Sequence, residues 1–162
     1  MLISQEFEVG IFGNHGIYIP DAIAQPFIDA GHKRVRVVAR FQGKEIQFHA
    51  ALLKHQDQFV MSFGKRYQKE LGVVLTDFFA LQLYEDNSKY GVEMPEEFQA
   101  VLDSDPEAME FFHKLTPGKQ RNMIYYVLRV KNSQKRIDKA LIITENLKMG
   151  ITDPRELIKD RR

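Results

Sequence analysis

From Arg34 to Leu52 apolar and polar residues alternate with a period of two, interrupted once at Gln42-Gly43. Val35, Val37, Ala39 and Phe41 fall on one side, and Arg34, Arg36, Val38 and Arg40 on the other. After the interruption Ile46, Phe48, Ala50 and Leu52 alternate with Glu45, Gln47 and His49. A period of two is that of a strand with one face in a core. A two-residue break ending in glycine suits a tight hairpin turn. Such a turn sets Ala39 opposite Ile46 and Val37 opposite Phe48 on the inner face. It sets Arg40 opposite Glu45 and Arg36 opposite His49 on the outer face. A slip of one residue would turn every apolar side chain to solvent, so the fold must supply a core against one face of this hairpin.

Other segments extend the β reading. Residues 5–12 and 16–20 read as a strand pair around Gly13-Asn14-His15-Gly16, whose glycines suit a reversal. A short helix follows Pro20-Asp21, limited by Pro26 and ended by Gly31. Phe59–Phe63 alternates as a further strand, Lys65–Leu71 reads as a short helix closed by Gly72, and Phe78–Tyr84 is another strand. From Pro95 the periodicity becomes helical. Pro95-Glu96-Glu97, Ser104-Asp105-Pro106, Thr116-Pro117 and Asn132-Ser133 are successive helix starts, and Gly150 is a stop. Thr152-Asp153-Pro154 is one more cap. The expected fold is α+β: a β pseudo-barrel over residues 1–93, a small helical bundle over 94–150, and a charged C-terminal tail over 151–162.

A chain of 162 residues buries roughly 70% of its unfolded surface on folding, so no metal or disulfide staple is required. It has no cysteine, which removes disulfide frameworks and thiolate chemistry. No run of 18 apolar residues offers a membrane span, and MLISQEFEVG lacks the pattern of an export signal, so the expected location is the cytoplasm. Charge is uneven. Residues 113–162 hold 13 Lys or Arg against 5 Asp or Glu, a net of +8, whereas residues 1–112 carry a net of −7. Such a split fits a basic half that meets a polyanion, two halves that dock on each other, or helices with solvated faces.

Tyr18-Ile19-Pro20, the Val35–Leu52 hairpin, Gly64–Gly72 and Thr76-Asp77 together resemble a bacterial domain of unknown function known as a double-split β-barrel. Met94-Pro95-Glu96-Glu97-Phe98, Phe111–Leu115, Pro117, and Val130-Lys131-Asn132-Ser133 through Arg136-Ile137 to Ala140-Leu141 resemble a helical module. That module is called bacteriocin-protection, YdeI or OmpD-associated. The resemblance spans roughly residues 5–150 and implies the same α+β architecture. It implies no catalytic mechanism. Thr76-Asp77 stands where many relatives have Gly-Asp, and a Thr-Arg pair of the helical module has no counterpart here.

Motifs for chemistry are sparse. His15, His32, His49, His55 and His113 stand at no metal-binding spacing. No GxSxG elbow occurs. Gly64-Lys65-Arg66 resembles the end of a phosphate-binding loop, but Phe59 stands where its first glycine belongs. Glu85-Asp86 and Glu96-Glu97 read as turn and helix-start residues. No catalytic residue, metal ligand or cofactor is therefore assigned. The most suggestive cluster is Arg129, Lys131, Lys135, Arg136 and Lys139, which straddles a helix start beside Tyr125-Tyr126. Basic side chains interleaved with aromatics suit a polyanion, and Tyr126 equally fits an apolar helix face with Met123, Val127 and Val130. The expected function is a non-enzymatic binding or interaction module whose partner is a polyanion or a protein. The alternative is an enzyme or small-molecule binder with a cleft between barrel and helices.

Overall fold

The computed structural model describes residues 1–162, which divide into two units, Met1–Asn87 and Ser88–Arg162. The first holds strands β1 (Phe7–Gly10), β2 (Gly16–Ile19), β3 (Arg34–Phe41), β4 (Lys44–Ala51), β5 (Leu53–His55), β6 (Gln58–Ser62) and β7 (Phe78–Glu85), with helices α1 (Asp21–Asp29) and α2 (Lys65–Leu71). The second holds α3 (Glu96–Asp103), α4 (Pro106–Lys114), α5 (Pro117–Leu128), α6 (Ser133–Lys148) and α7 (Pro154–Leu157). The class is α+β.

The alternating segment makes the hairpin its pattern demands. β3 and β4 pair antiparallel with Ala39 opposite Ile46, Val37 opposite Phe48, Arg40 opposite Glu45 and Arg36 opposite His49. Gln42 and Gly43 both have positive φ, 49° and 79°, as a type I′ turn requires. Val38 departs from the pattern: it lies on the outer face yet is 3% exposed. Its cross-strand neighbours are Gln47 and Gln82. Arg36 bonds to Gln47 and Arg40 to Gln82, so their long stems close over it.

The strands form two antiparallel sheets, ordered β1-β7-β3-β4 and β2-β6-β5, and no closed barrel. This corrects the expected pairing of residues 5–12 with 16–20. β1 pairs with β7 and β2 with β6, and only a single bridge, Phe12 to Gly16, links the two segments. The loop between them carries the chain from one sheet to the other, with the Phe12 ring stacked on Tyr18 at 4.0 Å. Gly16 leaves the space that ring occupies. β5, too short to show a period, joins β6 through Gln56-Asp57, both at positive φ. Pro26 lies inside α1 and does not end it. The core of this unit gathers the inner faces of both sheets with Phe27, Phe63 and Leu71.

In the second unit every predicted start opens a helix; Pro95 begins α3 without a side-chain cap, and the later starts carry one. Asp105 accepts from the Ala108 amide at 3.1 Å, Thr116 from Lys119 at 3.3 Å and Asn132 from Lys135 at 3.0 Å. The helices enclose a core containing Phe98, Leu102, Phe112, Met123, Ile124, Val127 and Ile143. Residues 151–162, expected as a charged tail, are docked on it. Leu157 is fully buried. The buried Asn146 amide donates to the carbonyls of Leu157 and Lys159, both at 2.8 Å.

The charge boundary near residue 112 falls inside this helical unit. Counted by unit, Met1–Asn87 carries a net of −1 and Ser88–Arg162 a net of +2. The acidic α3–α4 segment meets the basic α6 directly, through Lys148–Asp105 at 2.8 Å and Arg136–Glu97 at 3.6 Å.

Candidate functional site

Where α5 ends and α6 begins, four residues turn the chain: Arg129, Val130, Lys131 and Asn132. Arg129 caps the C-terminus of α5 and Asn132 the N-terminus of α6. Lys131 lies between them, Lys135 in the first turn of α6 and Lys139 one turn later. Arg129, Lys131 and Lys135 are exposed, and none forms an ion pair. Lys139 is half-buried, with its ammonium 5.4 Å from the centre of the Tyr126 ring. Tyr125 and Tyr126 are themselves half-buried against the helical core.

Arg136, adjacent to Lys135 in sequence, turns inward. Its Nε donates to the Val130 carbonyl at 2.5 Å and its Nη2 to the Leu128 carbonyl at 3.3 Å. The Leu128 carbonyl lies at the end of α5, where helix geometry leaves acceptors without intrahelical donors, and the Val130 carbonyl in the turn that follows. Nη1 stands 3.6 Å from Glu97 of α3. The Glu97 carboxyl is held below the usual carboxylate range, foremost by the Ser133 hydroxyl, with Arg136 adding to it. Arg136 thus ties α3, α5 and α6 together and fixes the corner from which the other cations project.

A helix N-terminus carries about half a positive charge, so cations there are disfavoured. α6 has no acidic residue in its first turn and has Lys135 in it. Glu97 approaches from α3 but is already engaged by Ser133 and Arg136. The corner therefore presents Arg129, Lys131 and Lys135 beside the positive end of α6. A groove of about 420 Å³ next to it is lined by Glu96, Glu97, Ser104 and Ser133 together with Ala100, Val101 and Ile137.

The other sequence candidates lie apart. His15, His55 and His113 are exposed, His113 sharing a hydrogen bond with the Tyr90 hydroxyl at 3.1 Å. His32 stands 3.8 Å from Glu85. No three His, Asp or Glu side chains converge on a common point. Gly64 caps α2, Lys65 is exposed, and Arg66 pairs with Glu70 at 3.3 Å within the helix. Sequence reasoning missed one cluster. His49 Nδ1 lies 2.7 Å from Asp86 Oδ2, beside Arg36, which stacks on Tyr84. The Arg36–His49 pairing was legible in the register, but nothing local joins Asp86 to His49.

No helix is long and apolar enough to cross a membrane. No functionally curated protein matches the chain. A solved structure, the solution structure of PHS018 from Pyrococcus horikoshii, is similar over 54% of this chain and 100% of its own, at 17% identity and a TM-score of 0.38. Residues 91–150 match the family described as Bacteriocin-protection, YdeI or OmpD-Associated, which covers α3 to α6 and the basic corner between the last two.

Proposed function

We propose that the protein is a non-enzymatic binding module that contacts a polyanion through Arg129, Lys131, Lys135 and Lys139. Arg136 is the residue that holds their corner in shape. The observation that carries this reading is that Arg129, Lys131 and Lys135 stand exposed together with no carboxylate partner, Lys135 in the first turn of a helix, where cations are disfavoured. A solvated helix face would disperse such charges or pair them at i, i+4, as Lys114 pairs with Glu110. Nothing in the corner reads bases, so recognition is of charge and not of sequence. A cytoplasmic location, where nucleic acid is at hand, belongs to the same proposal.

Binding of double-stranded DNA, followed by fluorescence anisotropy across a salt series, tests it. Each neutralised phosphate contributes about −0.9 to the slope of log K against log salt. Replacing Lys131 and Lys135 by alanine should flatten that slope by up to about two units and leave the fold intact, alanine being a good helix former. Absence of salt-sensitive binding by the wild type at low ionic strength removes the proposal.

A further inference from the structure

The sheet unit carries an arrangement of a different kind. On the outer face of the four-stranded sheet, Tyr84 of β7, Arg36 of β3 and His49 of β4 stand in one cross-strand row, the closest spacing that neighbouring strands allow. Arg36 and Arg40 share this face but have different surroundings. Arg40 is neutralised by Glu6 and Glu45, each at 2.8 Å. Arg36 has no carboxylate. Its guanidinium lies 4.3 Å from the Tyr84 ring centre and gives one hydrogen bond, 2.9 Å, to Gln47. Both contacts hold the group in a fixed plane without cancelling its charge. A guanidinium has five N–H donors, so most remain available.

Across the row, His49 is 15% exposed and its Nδ1 faces Asp86, itself 4% exposed. A carboxylate in that position keeps the proton on Nδ1 and leaves Nε2 as the nitrogen that meets a ligand. We propose that the Tyr84–Arg36–His49 row binds a tetrahedral oxyanion, the phosphate group of a small phosphate monoester. Arg36 supplies a planar two-point fork. His49 hydrogen-bonds the anion through Nε2 from the neighbouring strand while Asp86 holds Nδ1. Two donor groups from different directions suit a tetrahedral anion better than a planar carboxylate. The ligand is small because Arg40, four residues along the strand, is already neutralised by Glu6 and Glu45, so the positive charge does not continue in that direction.

The charged and titratable groups on this face around His49 are Arg34 and Arg36 of β3, Tyr84 of β7, Asp86 beyond it, and Glu45 along β4, which Arg40 holds.

Histidine ring resonances of the full chain, followed by NMR during titration with sulfate at constant ionic strength, test this assignment. Sulfate is tetrahedral and keeps its double charge over the range used. His49 should shift saturably while the other four histidines stay in place. Arg36→Gln should weaken binding at least tenfold. Arg36→Lys, which keeps charge but loses the fork, should also weaken it, and Arg40→Gln should change it less than twofold. A hexose phosphate should displace sulfate and double-stranded DNA should not. Uniform or unsaturable shifts, binding that survives Arg36→Gln in a folded variant, or displacement by DNA would each overturn the assignment. Those results leave the reading of the helical corner untouched, because that corner is probed by DNA affinity alone.

Discussion

Lys135 and Arg136 are neighbours with opposite fates, and that difference is the clearest lesson at the scale of single residues. Composition groups them in one basic cluster. What separates them is tertiary: the Leu128 and Val130 carbonyls and the Glu97 carboxylate all converge on Arg136, while Lys135 meets only solvent. The distinction was not legible in the sequence, because Glu97 comes from another helix. Arg136→Ala leaves the Leu128 and Val130 carbonyls without this donor and takes one of two partners from Glu97, a loss of about 1–3 kcal/mol. Lys135→Ala removes nothing the fold uses and should stay within about 0.5 kcal/mol of wild type. Urea denaturation of the two variants measures both. A similar loss at both positions would mean that Arg136 is as peripheral as its neighbour.

Elements with a strong internal period were legible, and elements defined by distant partners were not. The β3–β4 register follows from alternation and turn chemistry alone, so every predicted pair is present. Helix starts were legible because their capping residues act locally. The placement of β1 was not, since its partner β7 lies at the other end of the unit and no turn joins them. The hairpin reading makes a direct prediction. Phe48 stacks on Tyr67 at 4.5 Å inside the core, so Phe48→Ala should cost roughly 3–5 kcal/mol. Gln47→Ala, on the outer face, should cost about 0.5 kcal/mol or less. Equal losses in a denaturation series would contradict the register. The start of α4 makes another. Lys148, and after it the Ala108 amide, hold the Asp105 carboxyl below its usual range. A carboxyl depressed in the folded state stabilises above its unfolded pKa, near 3.9, and this contribution is lost as the pH falls through its lower folded value. Asp105→Asn keeps the cap and loses the ion pair, whereas Asp105→Ala loses both. Melting temperatures at neutral pH should therefore fall in the order wild type, Asn, Ala. The gap between wild type and Asn should close once acid has protonated Asp105. A gap that persists would assign the stabilisation to something other than the carboxylate charge.

At the scale of the whole molecule, the charge asymmetry of the sequence takes on a different meaning. Divided at the boundary of its units, the chain is nearly balanced on each side, and the acidic and basic stretches meet inside the helical unit. Opposite charge thus organises a helical core, and the cations left over gather at one corner of it. The pairing of β1 with β7 bears on how the chain comes into being. As the protein leaves the ribosome, Phe7 and Val9 emerge well before β7, and the strand that receives them is made only when most of the unit is complete. Contacts so distant along the chain form slowly, whereas the helices find their partners close by. Pulse-labelled hydrogen exchange during refolding should show α5 and α6 amides protected early and β1 amides protected last. Early protection of β1 would mean that it first pairs elsewhere. Until β7 arrives, Phe7 and Val9 lack the sheet that covers them, and that interval is when the nascent chain most needs shelter from other chains.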